Sequence, residues 1–133
     1  MNQPMNCGRS PSMHWLLIGS VLLGLACTPS RIPTSDVVEA RAILKNALDA
    51  WQAGQIVADL RELSPPVYMA EESWENGTPL LNYELNDPGV LHGTNVRFEV
   101  TLRIKTAKKA DRQLKAVYLV TTRPALTIAR ADR

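Results

Sequence analysis

The sequence lacks acidic residues at its start, and it lacks an apolar run long enough to cross a membrane. Of its 133 residues, the first 26 contain no Asp or Glu and a single basic residue, Arg9. The apolar run at residues 15–26 is shorter than the roughly 20 residues of a membrane-spanning helix, but it has the length of a signal-peptide core. A buried core helix is the alternative, which two internal glycines and the lack of a polar face disfavour. We therefore interpret residues 1–26 as an export signal that is removed.

The residues around the expected cleavage point fit a lipid anchor. Ala26 is small, as a residue beside a bond cut by a signal peptidase must be, and it directly precedes Cys27. Residues 23–27 read Leu-Gly-Leu-Ala-Cys and resemble a lipobox, the bacterial signal in which the cysteine sulfur takes a diacylglycerol and becomes the mature N-terminus. The resemblance implies lipidation at Cys27 and a membrane-anchored protein that faces the periplasm or the cell surface. A plain secretory route is the alternative, since Gly24 stands where a lipobox usually has Leu.

Few cysteines and histidines remain once residues 1–26 are removed. Cys7 is lost, so no disulfide can form within one mature chain; a bridge between Cys7 and Cys27 in an unprocessed protein is the alternative. His92 is the one histidine left, in a predicted loop at residues 89–93, which excludes a multi-histidine metal site within one chain. The sequence also lacks a phosphate-binding glycine motif. It therefore predicts no metal and no cofactor.

One tether and one domain make up the rest of the chain. Residues 27–34 are polar and carry two prolines, as a tether does. Residues 35–133 suffice for one domain with its own core and are too few for two. The mature chain has 14 basic and 13 acidic residues, a net charge of +1, which gives no electrostatic footprint for nucleic acid. Met5 and Met13 leave the start codon open.

The spacing of apolar residues predicts helices first and strands afterwards. Ser35 or Asp36, followed by Glu39, is typical of a helix N-terminus, and apolar residues continue at helical spacing to about residue 53. A shorter helix is predicted over residues 56–63, a turn over 74–77, and strands over 67–69, 80–85, 96–105, 114–121 and 125–130. This order predicts an α+β domain in which an N-terminal helix packs on a curved antiparallel β-sheet.

Three of these strands can be placed in the sheet. Residues 96–105 alternate between apolar and polar side chains, so we predict one buried and one exposed face. Residues 114–121 have apolar side chains at both odd and even positions, and so on both faces of a strand. This predicts a central strand that is covered on both faces. The last strand, residues 125–130, follows Pro124 and is predicted to lie at or near an edge.

The order of these elements resembles a known group of proteins. The residues that carry the resemblance are, in order, Trp51-x-x-Gly54, Pro66, Trp74-x-x-Gly77-x-x-Leu80, Tyr118-x-Val120-x-Thr122-x-Pro124 and Thr127-Ile128-x-Arg130. Over residues 37–130 the chain resembles small bacterial lipoproteins of unknown function, whose fold is similar to the cystatin-like or NTF2-like cone. That fold implies a curved sheet wrapped around a long helix. Larger NTF2-like proteins use the open end of the cone for isomerases, dehydratases and binding modules, so fold alone does not choose between enzyme and binder.

An isomerase-type site needs a carboxylate base and hydrogen-bond donors aimed at an oxyanion. Asp59 or Glu62 with Tyr83 or Tyr118 is the candidate set. The simpler interpretation, which we favour, leaves both acids on the exposed side of the short helix and packs the tyrosines with their hydroxyls at the rim. We match no catalytic set of the NTF2-like families, so the sequence predicts no catalytic residue.

Arg130 and Trp74 complete the set of candidate contacts. Arg130 shares the parity of apolar neighbours and so points toward the end of the cone, where it could bind an anionic ligand or form a salt bridge to Glu71 or Glu72. Trp74 either belongs to the core or marks a surface for a partner protein. Together with Tyr83 and Tyr118, these residues are the predicted ligand or partner contacts.

The predicted function is accordingly that of a lipid-anchored protein of the cell envelope without catalytic activity. It would act in binding or assembly, with the membrane and an envelope protein as partners. The alternative is a small NTF2-like pocket enzyme or ligand carrier. The sequence does not predict the oligomeric state.

Overall fold

The computed structural model describes residues 29, 31–108 and 110–131. The predicted signal peptide and Cys27 lie outside the described residues. The helices are α1 (Val37–Gln52), a 3₁₀ helix (Val57–Glu62) and α2 (Glu72–Glu75); the strands are β1 (Val67–Ala70), β2 (Leu80–Leu85), β3 (Val90–His92), β4 (Asn95–Ile104), β5 (Arg112–Thr121) and β6 (Leu126–Arg130). Within the described ranges, no helix is long and apolar enough to span a membrane.

Helix α1 follows the predicted pattern closely. The Asp36 side chain accepts a hydrogen bond from the Glu39 amide at 2.7 Å and so caps the helix. The buried residues recur at helical spacing, at Ala40, Leu44, Ala47, Leu48 and Trp51. The prediction of an amphipathic helix over residues 37–53 is confirmed.

The strands form one curled, mixed sheet that lies against α1 like a half-barrel, so the α+β class is confirmed. The strand order is β1-β6-β5-β4-β2, and β3 pairs with the first residues of β4. The prediction of an antiparallel sheet is wrong at one edge, where β1 and β6 run parallel. The two strands are far apart in the sequence, so no hairpin sets their relative direction.

Two local predictions also need correction. Residues 89–93 were expected to form a loop, but Val90–His92 pair with residues 95–97 as the short strand β3. Strand β5 is central, as predicted, yet only one of its faces is buried. Tyr118 and Val120 lie in the core, whereas Val117 and Leu119 on the opposite face are half-buried, because α1 covers one side of the sheet.

The start of α1 is fixed by hydrogen bonds from distant parts of the chain. The Ser35 amide donates to the Thr94 carbonyl at 2.9 Å. The Thr122 amide donates to the Ser35 hydroxyl at 3.0 Å, and the Thr122 hydroxyl accepts from the Asp36 amide at 3.0 Å. The chain therefore enters the domain between the β3–β4 turn and the end of β5.

The turn that leads into β3 passes very close to the core. Gly89 has φ of +94°, and a Cβ built on it would lie 2.4 Å from Cε1 of Phe98, which is fully buried. Only glycine adopts this backbone conformation without strain and leaves room for the ring.

Candidate functional site

A buried carboxylate lies at the end of β1. Glu71 continues the alternation of Val67 and Met69, so its side chain points to the same face as those two core residues. On the neighbouring strands, Arg130 of β6 is paired with Tyr118 of β5, on the face that carries the core. The three side chains therefore meet at one end of the sheet.

Glu71 is completely buried and accepts several hydrogen bonds. The Tyr118 hydroxyl donates to Oε2 at 2.6 Å, and Arg130 Nη1 lies 3.3 Å from Oε1. The Ser73 amide also donates to Oε1, at 3.1 Å, which caps α2. The charge of Arg130 and these hydrogen bonds together offset the free-energy cost of removing the carboxylate from water. The cluster ties the ends of β1, β5 and β6 to one another.

Arg130 was predicted either to bind an anionic ligand or to form a salt bridge to Glu71 or Glu72. Its guanidinium pairs with Glu71, one of the two acids that the sequence offered, and its side chain is 19% exposed. A role for Arg130 or Tyr118 in contacting a ligand stays a prediction. Such a ligand would meet groups that are already bonded to Glu71.

Trp74 lies in the core, stacked on Trp51. The ring centroids are 5.5 Å apart and the ring planes differ by 8°. The Trp51 indole donates to the Thr78 carbonyl at 2.8 Å, and the Trp74 indole donates to the Gln55 carbonyl at 2.7 Å. Because both rings are buried and both N–H groups are bonded, Trp74 does not form an exposed apolar patch.

Tyr83 lies on β2 beside α1, where its hydroxyl donates to the Asp49 carboxylate. Burial and the Asp49 carboxylate raise the pKa of Tyr83 to about 12. The Lys45 ammonium, 2.7 Å from Asp49, and the Tyr83 hydroxyl together lower the pKa of Asp49. The cleft beside Tyr83 holds about 220 Å³ and is lined by polar side chains of β2, β4 and β5.

We expect the stabilising effect of Tyr83 to disappear at high pH. Its pKa in the folded protein lies above the ordinary tyrosine value of 10.0, so the contribution is complete below pH 10 and is lost as the pH rises to about 12. Denaturant unfolding of the wild type and Tyr83→Phe across this range should give curves that converge. Asp49→Asn should lower the pKa of Tyr83, so that its stabilising effect is lost at a lower pH. A stability difference that stays constant up to pH 12 would contradict this assignment.

The acids proposed for general-base catalysis do not meet the tyrosines. Asp59 and Glu62 are exposed on the 3₁₀ helix, as the simpler interpretation expected, whereas the hydroxyls of Tyr83 and Tyr118 bond to other carboxylates. His92 is exposed on β3. Among the described residues, no cluster of three or more His, Cys, Asp or Glu side chains is placed to hold a metal ion.

An open groove runs between α1 and the edge of the sheet that contains β1. It consists of two clefts, of about 450 and 270 Å³, which share Pro65 and Leu126 as lining residues. Its walls are the side of α1 from Glu39 to Ala47, the segment from Leu60 to Tyr68, and residues 122–126. We call this surface the edge groove.

The walls of the edge groove are mainly apolar. Leu63 and Tyr68 line it and are about half exposed. Glu39, Asn46 and Arg123 place an acceptor, an amide and a donor along it. Sequence reasoning did not identify this groove, because three distant segments form its walls and each one reads as an ordinary helix face or turn.

The candidate residues do not converge on a single site. The structure brings Tyr118 and Arg130 together around Glu71, and it leaves Tyr83 and Trp74 at separate places beside α1. Comparison with known proteins adds no identification: no family model, no curated protein and no solved structure matches the chain.

Proposed function

We propose that this protein is an exported, lipid-anchored and non-catalytic binding or assembly module of the cell envelope. Cys27 would carry the anchor, residues 28–34 would form the tether, and the domain would be a cystatin-like or NTF2-like cone. The observation that carries the binding role is the edge groove, an open and mostly apolar surface beside a filled core. The curled sheet around α1 supports the assignment of a cone.

The dimensions of the edge groove suit an extended segment of a partner protein. From Glu39 to Asn46, α1 rises about 10 Å, which matches about three residues of extended chain. Glu39 and Arg123 offer an acceptor and a donor for the backbone of such a segment, and Leu63 and Tyr68 offer apolar contact for its side chains. Apolar pockets with a few placed polar groups are typical of peptide recognition.

The core supports binding in preference to catalysis at the end of the cone. Tyr118, which the alternative enzyme or carrier would need in an open pocket, is fully buried and bonded to Glu71. Within the described residues, every buried side-chain nitrogen or oxygen has a hydrogen-bond partner. A substrate at Tyr118 would have to displace these bonds.

A crosslinking experiment on the anchored protein tests the proposal. A photoreactive residue at Leu63 should yield a discrete adduct with an extended segment of one envelope protein, identified by mass spectrometry. The same residue at exposed Asp59, which lies nearby on the 3₁₀ helix, is the matched control. Tyr68→Ala should weaken the adduct at Leu63. Intact mass and membrane fractionation beside Cys27→Ala establish whether the anchor is present.

Two results would overturn the proposal in different ways. Equal crosslinking from Leu63 and Asp59, or none from either, would reject the edge groove as a binding surface. A wild-type protein of full-length mass in the soluble fraction would reject the anchor and the removal of residues 1–26.

A further inference from the structure

A cluster of exposed apolar residues lies where the chain enters the domain. Ile32, Val38, Val90 and Leu91 are 68%, 79%, 59% and 51% exposed, and they are four of the eight large apolar residues that the described ranges leave exposed. Two others, Leu63 and Tyr68, line the edge groove. We call the four residues the tether-end face.

The positions of these residues follow from contacts already described. Val38 is in the first turn of α1, one turn before Arg41, whose guanidinium donates to the Asp87 carbonyl at 2.8 Å. Because residues three apart lie on the same side of a helix, Val38 faces the segment that leads from Asp87 into β3. Leu91 pairs with Val96 and so points to the face of the sheet that α1 covers.

The other two residues flank the same end. Val90 pairs with Arg97 and lies on the outer face of the β3–β4 hairpin. The turn of this hairpin contains Thr94, the acceptor for the Ser35 amide. Ile32 lies three residues before Ser35 in the tether. The tip of the hairpin therefore carries apolar side chains on both faces, next to the attachment point of the chain.

We infer that the tether-end face rests on the lipid surface to which Cys27 is attached. The inference rests on the anchor in the proposed function. Residues 28–34 span at most roughly 25 Å, whereas a domain of about 100 residues has a diameter of roughly 34 Å. The tether is thus shorter than the domain, and it keeps the end that contains Ser35 closest to the membrane.

The charges at this end allow close contact with lipid. Three acids near the face have partners within the domain: Asp36 caps α1, Asp87 accepts from the amides of Gly89 and Glu99, and the Glu99 carboxylate pairs with Arg97. Glu39, beside Val38, lines the edge groove instead. Arg31 is exposed in the tether beside Ile32. Tethering raises the effective concentration of the face at the bilayer, so a weak apolar contact suffices to orient the domain.

Fluorophores at single introduced cysteines test the orientation. The mature chain has no free thiol once Cys27 is acylated, so Val38→Cys and Leu91→Cys can each be labelled specifically. Asn76→Cys, exposed in the turn between α2 and β2 near the opposite end of α1, is the control. The lipidated proteins are reconstituted in vesicles of phosphatidylethanolamine and phosphatidylglycerol, with and without brominated acyl chains.

We expect blue-shifted emission and strong quenching by brominated lipid at positions 38 and 91, and neither effect at position 76. Leu91→Asp in the Val38→Cys protein should remove the quenching while the thermal unfolding curve is retained. Equal quenching at all three positions, or a blue shift without quenching, which would indicate contact with protein, overturns the inference and leaves the anchor in place. Absence of the diacylglycerol mass overturns the anchor, and the inference with it.

Discussion

Glu71→Ala should lower the free energy of unfolding by about 3–5 kcal/mol, the cost of breaking a buried ion pair by removing one partner. The carboxylate is 0% exposed, and its removal leaves the buried Tyr118 hydroxyl without this acceptor. It also takes away one partner that Arg130 contacts at the end of β6. Both effects are part of this cost, because a buried polar group that loses a hydrogen bond is not compensated by water. Chemical denaturation of the purified wild-type and Glu71→Ala domains measures the loss.

Two further variants show whether the loss comes from the buried pair. Glu75→Ala removes an exposed acid from the same short helix, and should change stability by no more than about 0.5 kcal/mol. Glu71→Leu combined with Arg130→Met replaces the pair with apolar side chains and should recover part of the loss. A Glu71→Ala protein within about 1 kcal/mol of the wild type would show that water replaces the missing bonds.

Gly89→Ala is the second substitution with a large expected effect, a loss of about 2–6 kcal/mol in the free energy of unfolding. The φ angle of +94° costs a residue with a Cβ about 1–3 kcal/mol. The new Cβ would also lie 2.4 Å from the Phe98 ring, and overpacking of a core costs a further 1–3 kcal/mol or so. The ring is fully buried and cannot move without disturbing its neighbours. Thermal or denaturant unfolding measures the sum.

Gly77→Ala separates the steric part from the backbone part. Gly77 has φ of +79°, but a Cβ there meets nothing within 4 Å. Its replacement should therefore cost only the conformational part. Phe98→Leu in the Gly89→Ala background should couple favourably in a double-mutant cycle, because the smaller side chain leaves room for the methyl group. Equal losses from Gly77→Ala and Gly89→Ala would show that the ring shifts freely.

The sequence predicted the parts of the fold that depend on local pattern. Helix α1 and strand β4 carry clear periodicities of 3.6 and 2, and both lie where those periods place them. Strand β3 was missed because three exposed residues make no readable alternation. The parallel pairing of β1 with β6 was missed because strand partners distant in sequence leave no local signal.

The candidate site was likewise predicted only where a local sequence pattern bears on it. The parity of Arg130 correctly indicated the inner face, and Glu71 was one of two proposed partners. Nothing in the sequence showed that Glu71 itself would be fully buried, because charged residues are almost never fully buried unless they are paired. The edge groove was not predictable, since its walls come from three separate segments.

The parallel pairing of β1 with β6 also has a consequence for the order of assembly. Strand β6 lies between β1 and β5, so β1 has no place in the sheet until residues 126–130 are available. Glu71 likewise cannot pair with Arg130 until the end of β6 is present, because the two residues are 59 positions apart in the sequence. Loops of this length close late in folding. A chain still emerging from the ribosome therefore keeps β1 unpaired, and this edge of the sheet stays incomplete until β6 has been synthesised.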